Sequence, residues 1–193
     1  QSVNKWWLCD EGRLTYRKMN ERKSRIHQPL GLIGENLEGI SWEKAYGAIA
    51  ERIRELKPLP QEVLALTDTH ASNEELFLFQ KLLKEGFSSE NIFCPFPTWE
   101  QSESDFFINT LITTDKTPNR AGALALQIKG DQKNKKLKKV IEGELKVVFV
   151  LGNPFENELE FKEIIKRTQL VIHIGIFHNS WSGMADVVLP GQF

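Results

Sequence analysis

"LKVVFVLGNPFE", residues 145–156, carries an unbroken apolar run from Val147 to Leu151 that stops on Gly152. A run of this length without polar alternation marks a strand buried on both faces, which belongs in a parallel sheet. "LVIHIGIF", residues 170–177, is a second such run. Between them, Glu156–Thr168 is amphipathic through Leu159, Ile164 and Ile165. Strand, helix and strand with short connections make a right-handed βαβ unit. The expected fold is α/β: an open, mainly parallel, Rossmann-like sheet with helices on both faces.

The same reading extends outward. Val187–Leu189 adds a further strand, and Val63–Thr67, between Pro60 and Asp68, adds another. Trp42, Ala45, Tyr46, Ile49, Ile53 and Leu56 recur at helical spacing, with Ser41 as cap and Lys57-Pro58 as stop. In "SNEELFLFQKLLKEG", residues 72–86, Ser72 and Glu75 form a capping box and Gly86 closes the helix. Asn91–Cys94 reads as a short strand before a proline-broken stretch, Pro95–Pro97, and Asn119–Ile128 as a short helix. The lysine run Lys129–Lys139 reads as a solvated helix start on the surface. Residues 1–40 show little periodicity and read as extended chain with short strands, so the division is 1–40 and 41–193.

Composition excludes several classes. A net charge of −1 gives no field to recruit nucleic acid, and no aromatic residues interleave with the lysine run for base stacking. No apolar run approaches 18 residues, so no membrane insertion is expected. With two cysteines, Cys9 and Cys94, and no CxxC pair, the sequence offers no disulfide framework. The chain starts at Gln1 and stops after a Pro-Gly turn, which reads as a piece of a longer polypeptide.

Open parallel sheets bind ligands beyond the carboxyl ends of their strands. That rule singles out Leu151–Pro154, Phe177–Ser180 and Thr67–His70. Gly152 admits close backbone approach to a phosphate, Asn153 offers an amide to a base, and Pro154 completes the turn. A helix-entry turn with Asn153 satisfying local backbone explains the same residues. There is neither a GxGxxG nor a Walker sequence after the strand, which argues against a standard dinucleotide or P-loop site. His27, His70, His173 and His178 lack adjoining cysteine or carboxylate clusters and read as structural or surface residues. Cys94, between Phe93 and Pro95, reads as a buried thiol.

Cys9 stands in "VNKWWLCDEGR", residues 3–13. The pattern of Asn4, Trp7, Leu8, Cys9, Asp10, Gly12, Arg13 and Tyr16 resembles the molybdopterin oxidoreductase superfamily. More narrowly, it resembles the family of the large G subunit of proton-pumping NADH:quinone oxidoreductase, complex I. Further stretches agree in order: Arg25, His27, Pro29 and Leu30, "SWEKA" (Ser41–Ala45), "SNEELFLFQKLLKEG", "TDKTPNRAGALAL" (Asp115, Pro118, Asn119, Gly122, Ala123), "FVLGNPFE" and "MADVVLPG" (Met184–Gly191). The resemblance spans nearly the whole chain.

The resemblance implies a partial molybdopterin-oxidoreductase domain preceded by the end of an iron–sulfur segment. It makes Cys9 the fourth ligand of a [4Fe-4S] cluster, with a CxxCxxxC set upstream, and places Arg13 in the cluster's environment. Gly152, Asn153 and Pro154 become a vestigial nucleotide turn. The implied function is electron transfer through iron–sulfur clusters toward quinone. The implied partners are the other subunits of the peripheral arm, at the cytoplasmic face of a bacterial inner membrane. The chain alone is expected to hold no cofactor and to be inactive, because one thiolate cannot hold a cubane. Two alternatives stand beside this: a molybdenum-dependent, formate dehydrogenase-like oxidoreductase binding molybdopterin guanine dinucleotide, and a scaffold domain that has lost its cofactor.

Overall fold

A computed structural model describes residue 16 and residues 21–96, 117–131, 135–154 and 165–191. Eight strands form one sheet: β1 (Leu30–Ile33), β2 (Asn36–Gly39), β3 (Val63–Thr67), β4 (Ile92–Phe96), β5 (Lys129–Asp131), β6 (Val147–Leu151), β7 (Leu170–Gly175) and β8 (Val187–Pro190). Their spatial order is β2-β1-β8-β7-β6-β3-β4-β5. Strands β3 to β8 pair in parallel, and β1 joins β8 antiparallel as the inner arm of a hairpin. Counting only the parallel strands in chain order, the sequence across the sheet is 3-2-1-4-5-6. This is the doubly wound Rossmann arrangement, and its strand order reverses between β3 and β6.

The central strands follow from their composition. All five residues of β3 are buried, as are Val147–Val150 of β6, because each strand has a neighbour on both edges and cover on both faces. Alternate residues feed two cores. Leu64, Leu66, Val148, Val150 and Val171 pack with Leu137 and Ile141 of α4 (Lys135–Glu142) and with Trp181. Val63, Ala65, Val147, Phe149 and Ile172 pack on the other face with Leu76, Phe79 and Leu83. Each fully buried leucine or valine contributes about 1.5–3 kcal/mol relative to exposure.

The helix readings hold in their chemistry. In α1 (Trp42–Leu56), Ser41 Oγ accepts from the Lys44 N–H, and Lys57 ends the helix in the left-handed region at φ 43°. In α2 (Asn73–Lys81), Ser72 Oγ accepts from the Glu75 N–H at 3.2 Å while Glu75 Oε2 accepts from the Ser72 N–H at 2.7 Å. A π-helical turn, Leu82–Gly86, then ends this helix. The short α3 spans Arg120–Ala125.

Two expectations are corrected. The lysine run does not begin as a solvated helix: Lys129–Asp131 is β5, and the helix starts only at Lys135. An outermost strand pairs on one side alone and tolerates charge, so a lysine there is no bar to strand formation. The strand at Asn91–Cys94 is not broken by Pro95, since β4 runs to Phe96. Its register against β5 shifts between Phe93 and Phe96, which accommodates a residue that has no N–H to donate. Most of the helix expected at Glu156–Thr168 lies outside the described residues. Its Ile165 is buried in the core.

The hairpin of β1 and β2 lies on the amino side of residue 41 and belongs to the same sheet as everything after it. Further up the chain, Ile26 N–H donates to the Ile176 carbonyl at 2.9 Å and His178 N–H to the Ser24 carbonyl at 2.7 Å. Residues 24–26 are therefore tied to the chain just beyond β7, an attachment also seen in the Arg25–Phe177 bridge.

Candidate functional site at the strand-order reversal

At the strand-order reversal the carboxyl ends of β3 and β6 meet two turns. The first, Asp68–Ser72, leads into α2, and the second, Gly152–Pro154, follows β6. The structure brings these two predicted segments together. Asn153 N–H donates to Asp68 Oδ2 at 2.6 Å, and His70 N–H donates to Asp68 Oδ1 at 2.8 Å. Gly152 sits at φ 82°, a conformation that L side chains rarely adopt. A methyl at this position would also collide with Asp68 Oδ2. The group that approaches the Gly152 backbone in this structure is thus the chain's own carboxylate.

Burial works against the charge on Asp68. The His70 side chain and the two backbone N–H groups outweigh it and hold the carboxyl below its ordinary value. His70, largely exposed, stands with Nδ1 3.6 Å from Asp68 Oδ1, and this pairing raises its pKa.

The third predicted segment contributes Asn179, whose Nδ2 donates to the Gly152 carbonyl at 3.4 Å. Asn179 Oδ1 in turn accepts from the N–H groups of Trp181 and Ser182. The Pro154 carbonyl accepts from the indole N–H of Trp181, which has no solvent exposure.

His173, a structural residue by its sequence context, stands at the centre of the arrangement. Its ring, fully buried, reaches the Gly152 carbonyl through Nε2 at 2.9 Å. A carbonyl only accepts, so Nε2 carries the hydrogen and Nδ1 is left as a lone pair. Nδ1 has no partner, and neither have Asn153 Oδ1, next to Gly152, and Ser180 Oγ, next to Asn179. Burial lowers the His173 pKa, against the opposing effect of the Gly152 bond, and favours the neutral ring. The sequence signal is a lone polar residue inside an apolar strand.

A fourth segment locks the first turn. Asn119 N–H donates to the Thr69 carbonyl at 2.9 Å, and Asn119 Nδ2 donates to the Ala71 carbonyl at 2.8 Å and to Asn73 Oδ1 at 3.0 Å. This gives the "TPNRAGA" stretch a mechanical role: it clamps the entry to α2.

Cys94 lies in β4, fully buried, its thiol pushed up to about 12 by burial and by the charge of Asp68. It is no thiolate ligand at neutral pH. Cys9 and Arg13 lie outside the described residues. Among the described residues no group of three or more His, Cys, Asp or Glu could hold a metal ion. No described helix is long and apolar enough to cross a membrane.

No family model matches the chain. The similarity that was found is to a component of an oxidoreductase. Over 93 residues, 48% of the chain, it is 30% identical to the G subunit of NADH-quinone oxidoreductase from Rickettsia bellii (strain RML369-C). That stretch spans 13% of the relative's length.

Proposed function

We propose that this chain is part of an electron-transferring component of an NADH:quinone oxidoreductase, of the same kind as the G subunit it resembles. The observation that carries the reading is the 93-residue similarity to a protein of that name. The ordered motifs from Asn4 to Gly191 support it. In this reading Cys9 supplies one thiolate to a [4Fe-4S] cluster, and the other three come from outside these 193 residues. The donor chemistry is consistent, because the chain's only other cysteine is a buried thiol and leaves Cys9 as its sole available sulfur ligand. The cluster supplies one-electron transfer when bound. Cys9 holds it, and Arg13 places a positive charge four residues further along the chain.

A molybdopterin guanine dinucleotide fits the described residues poorly. The first βα turn, "TDTHAS", has no glycine to admit a pyrophosphate. The Ser72–Glu75 box occupies N–H groups at the start of α2, and the Asp68 carboxylate stands over Gly152. These features favour the scaffold role for the α/β unit: it supports the cluster-bearing segment and contacts other subunits of the peripheral arm, at the cytoplasmic face of the membrane.

The test is substitution in the intact, full-length protein. Cys9→Ala is expected to remove one paramagnetic cluster signal, whereas Cys94→Ala leaves every signal in place. An unchanged spectrum for Cys9→Ala overturns the ligand role.

A further inference from the structure

One residue beyond the last positions paired between β3 and β6 and between β6 and β7, the register sets Asp68, Gly152 and Gly175 side by side. The two glycines leave two gaps where side chains would stand. Asp68 Oδ2 fills the first. The His173 ring fills the second, with Cε1 2.5 Å and Nε2 2.7 Å from the place a Cβ on Gly175 would take. A single peptide unit, Gly152–Asn153, is held from both sides. Its N–H donates to Asp68 at 2.6 Å, and its carbonyl accepts from His173 at 2.9 Å.

The two oxygens of Asp68 each take one backbone N–H, from His70 at one strand end and Asn153 at the next. Converging backbone N–H groups in turns bind anions, and the strand-order reversal is where open α/β sheets bind ligands. An external oxyanion would meet both the volume and the charge of Asp68 there. We propose that Asp68 is an internal anion: its carboxylate fills an oxyanion site made by the His70 and Asn153 N–H groups and keeps that site closed to phosphate. This goes beyond the assignment to an electron-transfer complex and does not depend on it.

The experiment uses the ¹⁵N-labelled 193-residue chain and inorganic phosphate at fixed ionic strength and neutral pH. In Asp68→Gly the amide signals of His70 and Asn153 are expected to move saturably with phosphate. Half-saturation should fall at least about tenfold below any concentration that affects the wild type, since removing a like charge from an anion site is worth more than the 1.4 kcal/mol of one decade. Asp68→Asn, which keeps the volume and loses the charge, should gain less. A folded Asp68→Gly chain with no saturable shift at these amides overturns the proposal. So does a wild type that binds phosphate there equally well.

Should neither variant fold, the wild type decides by pH titration. The His70 and Asn153 amide protons should follow one carboxylate, ionising below the ordinary aspartate value. The other titratable groups that interact with Asp68 are His70 on its own turn, Cys94 from β4 and His173 from β7; the first two are raised, away from that range, and repeating the titration in His173→Gln separates the lowered His173 from Asp68. Amides that do not titrate together overturn the assignment.

Discussion

Strand β3 is flanked by a carboxylate at either end, and the two are satisfied differently. At the amino end, Glu62 Oε2 accepts from the Leu59 N–H at 2.7 Å and stands 2.9 Å from Lys146 Nζ. Around it, Ser89 Oγ and Asn91 Nδ2 both donate to the Val63 carbonyl. At the carboxyl end, Asp68 has two backbone N–H groups and an exposed histidine instead of a lysine. Among the described residues, the buried side-chain polar atoms without partners gather toward that end: Asn153 Oδ1, His173 Nδ1 and Ser180 Oγ, against Thr168 Oγ1 near the other. Both ends are closed, one by an ion pair, the other by backbone N–H groups. On the proposal that Asp68 is an internal anion, the second condition is that of a sheet end filled from within.

The sharpest way to break this contrast is Gly152→Ala. Left-handed strain of about 1–3 kcal/mol adds to the displacement of Asp68, for a total loss of about 2–4 kcal/mol in urea unfolding. A loss under about 0.5 kcal/mol would mean that the Asp68 contact is dispensable. Asn119→Ala comes next. It strips one hydrogen bond from the turn that carries Asp68 and one from the first residue of α2, and about 1–2 kcal/mol of stability should go with them.

Acid sharpens the comparison. Glu62 is held below its ordinary value by the Leu59 N–H first and Lys146 second, and Asp68 is also lowered. A depressed folded pKa contributes stability above the unfolded value, about 4, which is lost as pH falls toward the folded one. His173, also lowered, sheds its contribution earlier, as pH drops below about 6.5. His70 is raised, so its contribution is complete below about 6.5 and disappears as pH rises through the folded value. The urea midpoint should therefore decline in two stages on acidification. His173→Gln should remove the upper stage and Glu62→Gln part of the lower. One unbroken decline in both variants would contradict the assignment of histidine and carboxylate to separate windows.

The smallest effect serves as the control. Gly47 lies within α1 with open space around its Cβ position, so Gly47→Ala should stabilise the chain by about 0.5–1 kcal/mol. A gain at Gly47 beside a loss at Gly152 separates a glycine that merely loosens a helix from one that the Asp68 contact requires.

The sheet is legible in the sequence where burial is two-sided. Val147–Leu151 and Leu170–Gly175 can be read because a strand with neighbours on both edges can carry apolar residues without interruption. The capping box at Ser72 is equally plain, since it is a local bond between residues three apart. Two strands are harder: β5 hides in a lysine run because an edge strand with one free side escapes the patterning rules, and β4 passes through a proline at the point where its register against β5 shifts. At the site, the three strand-end segments follow from topology alone. Beyond the reach of sequence lie the bond between Asp68 and Asn153, 85 positions apart, and the turn of the His173 ring toward Gly152. Both depend on the register of neighbouring strands, which no short-range pattern encodes.

The tie between residues 24–26 and 176–178 sets how force enters the molecule. A tug on the chain ahead of Glu21 is borne by the hydrogen bonds to Ile176 and Ser24, immediately past β7, and not by a slack tether. The strand that takes this load also carries His173. Whatever displaces the leading residues, a docking protein or a change of charge, pulls on the sheet beside its one buried imidazole.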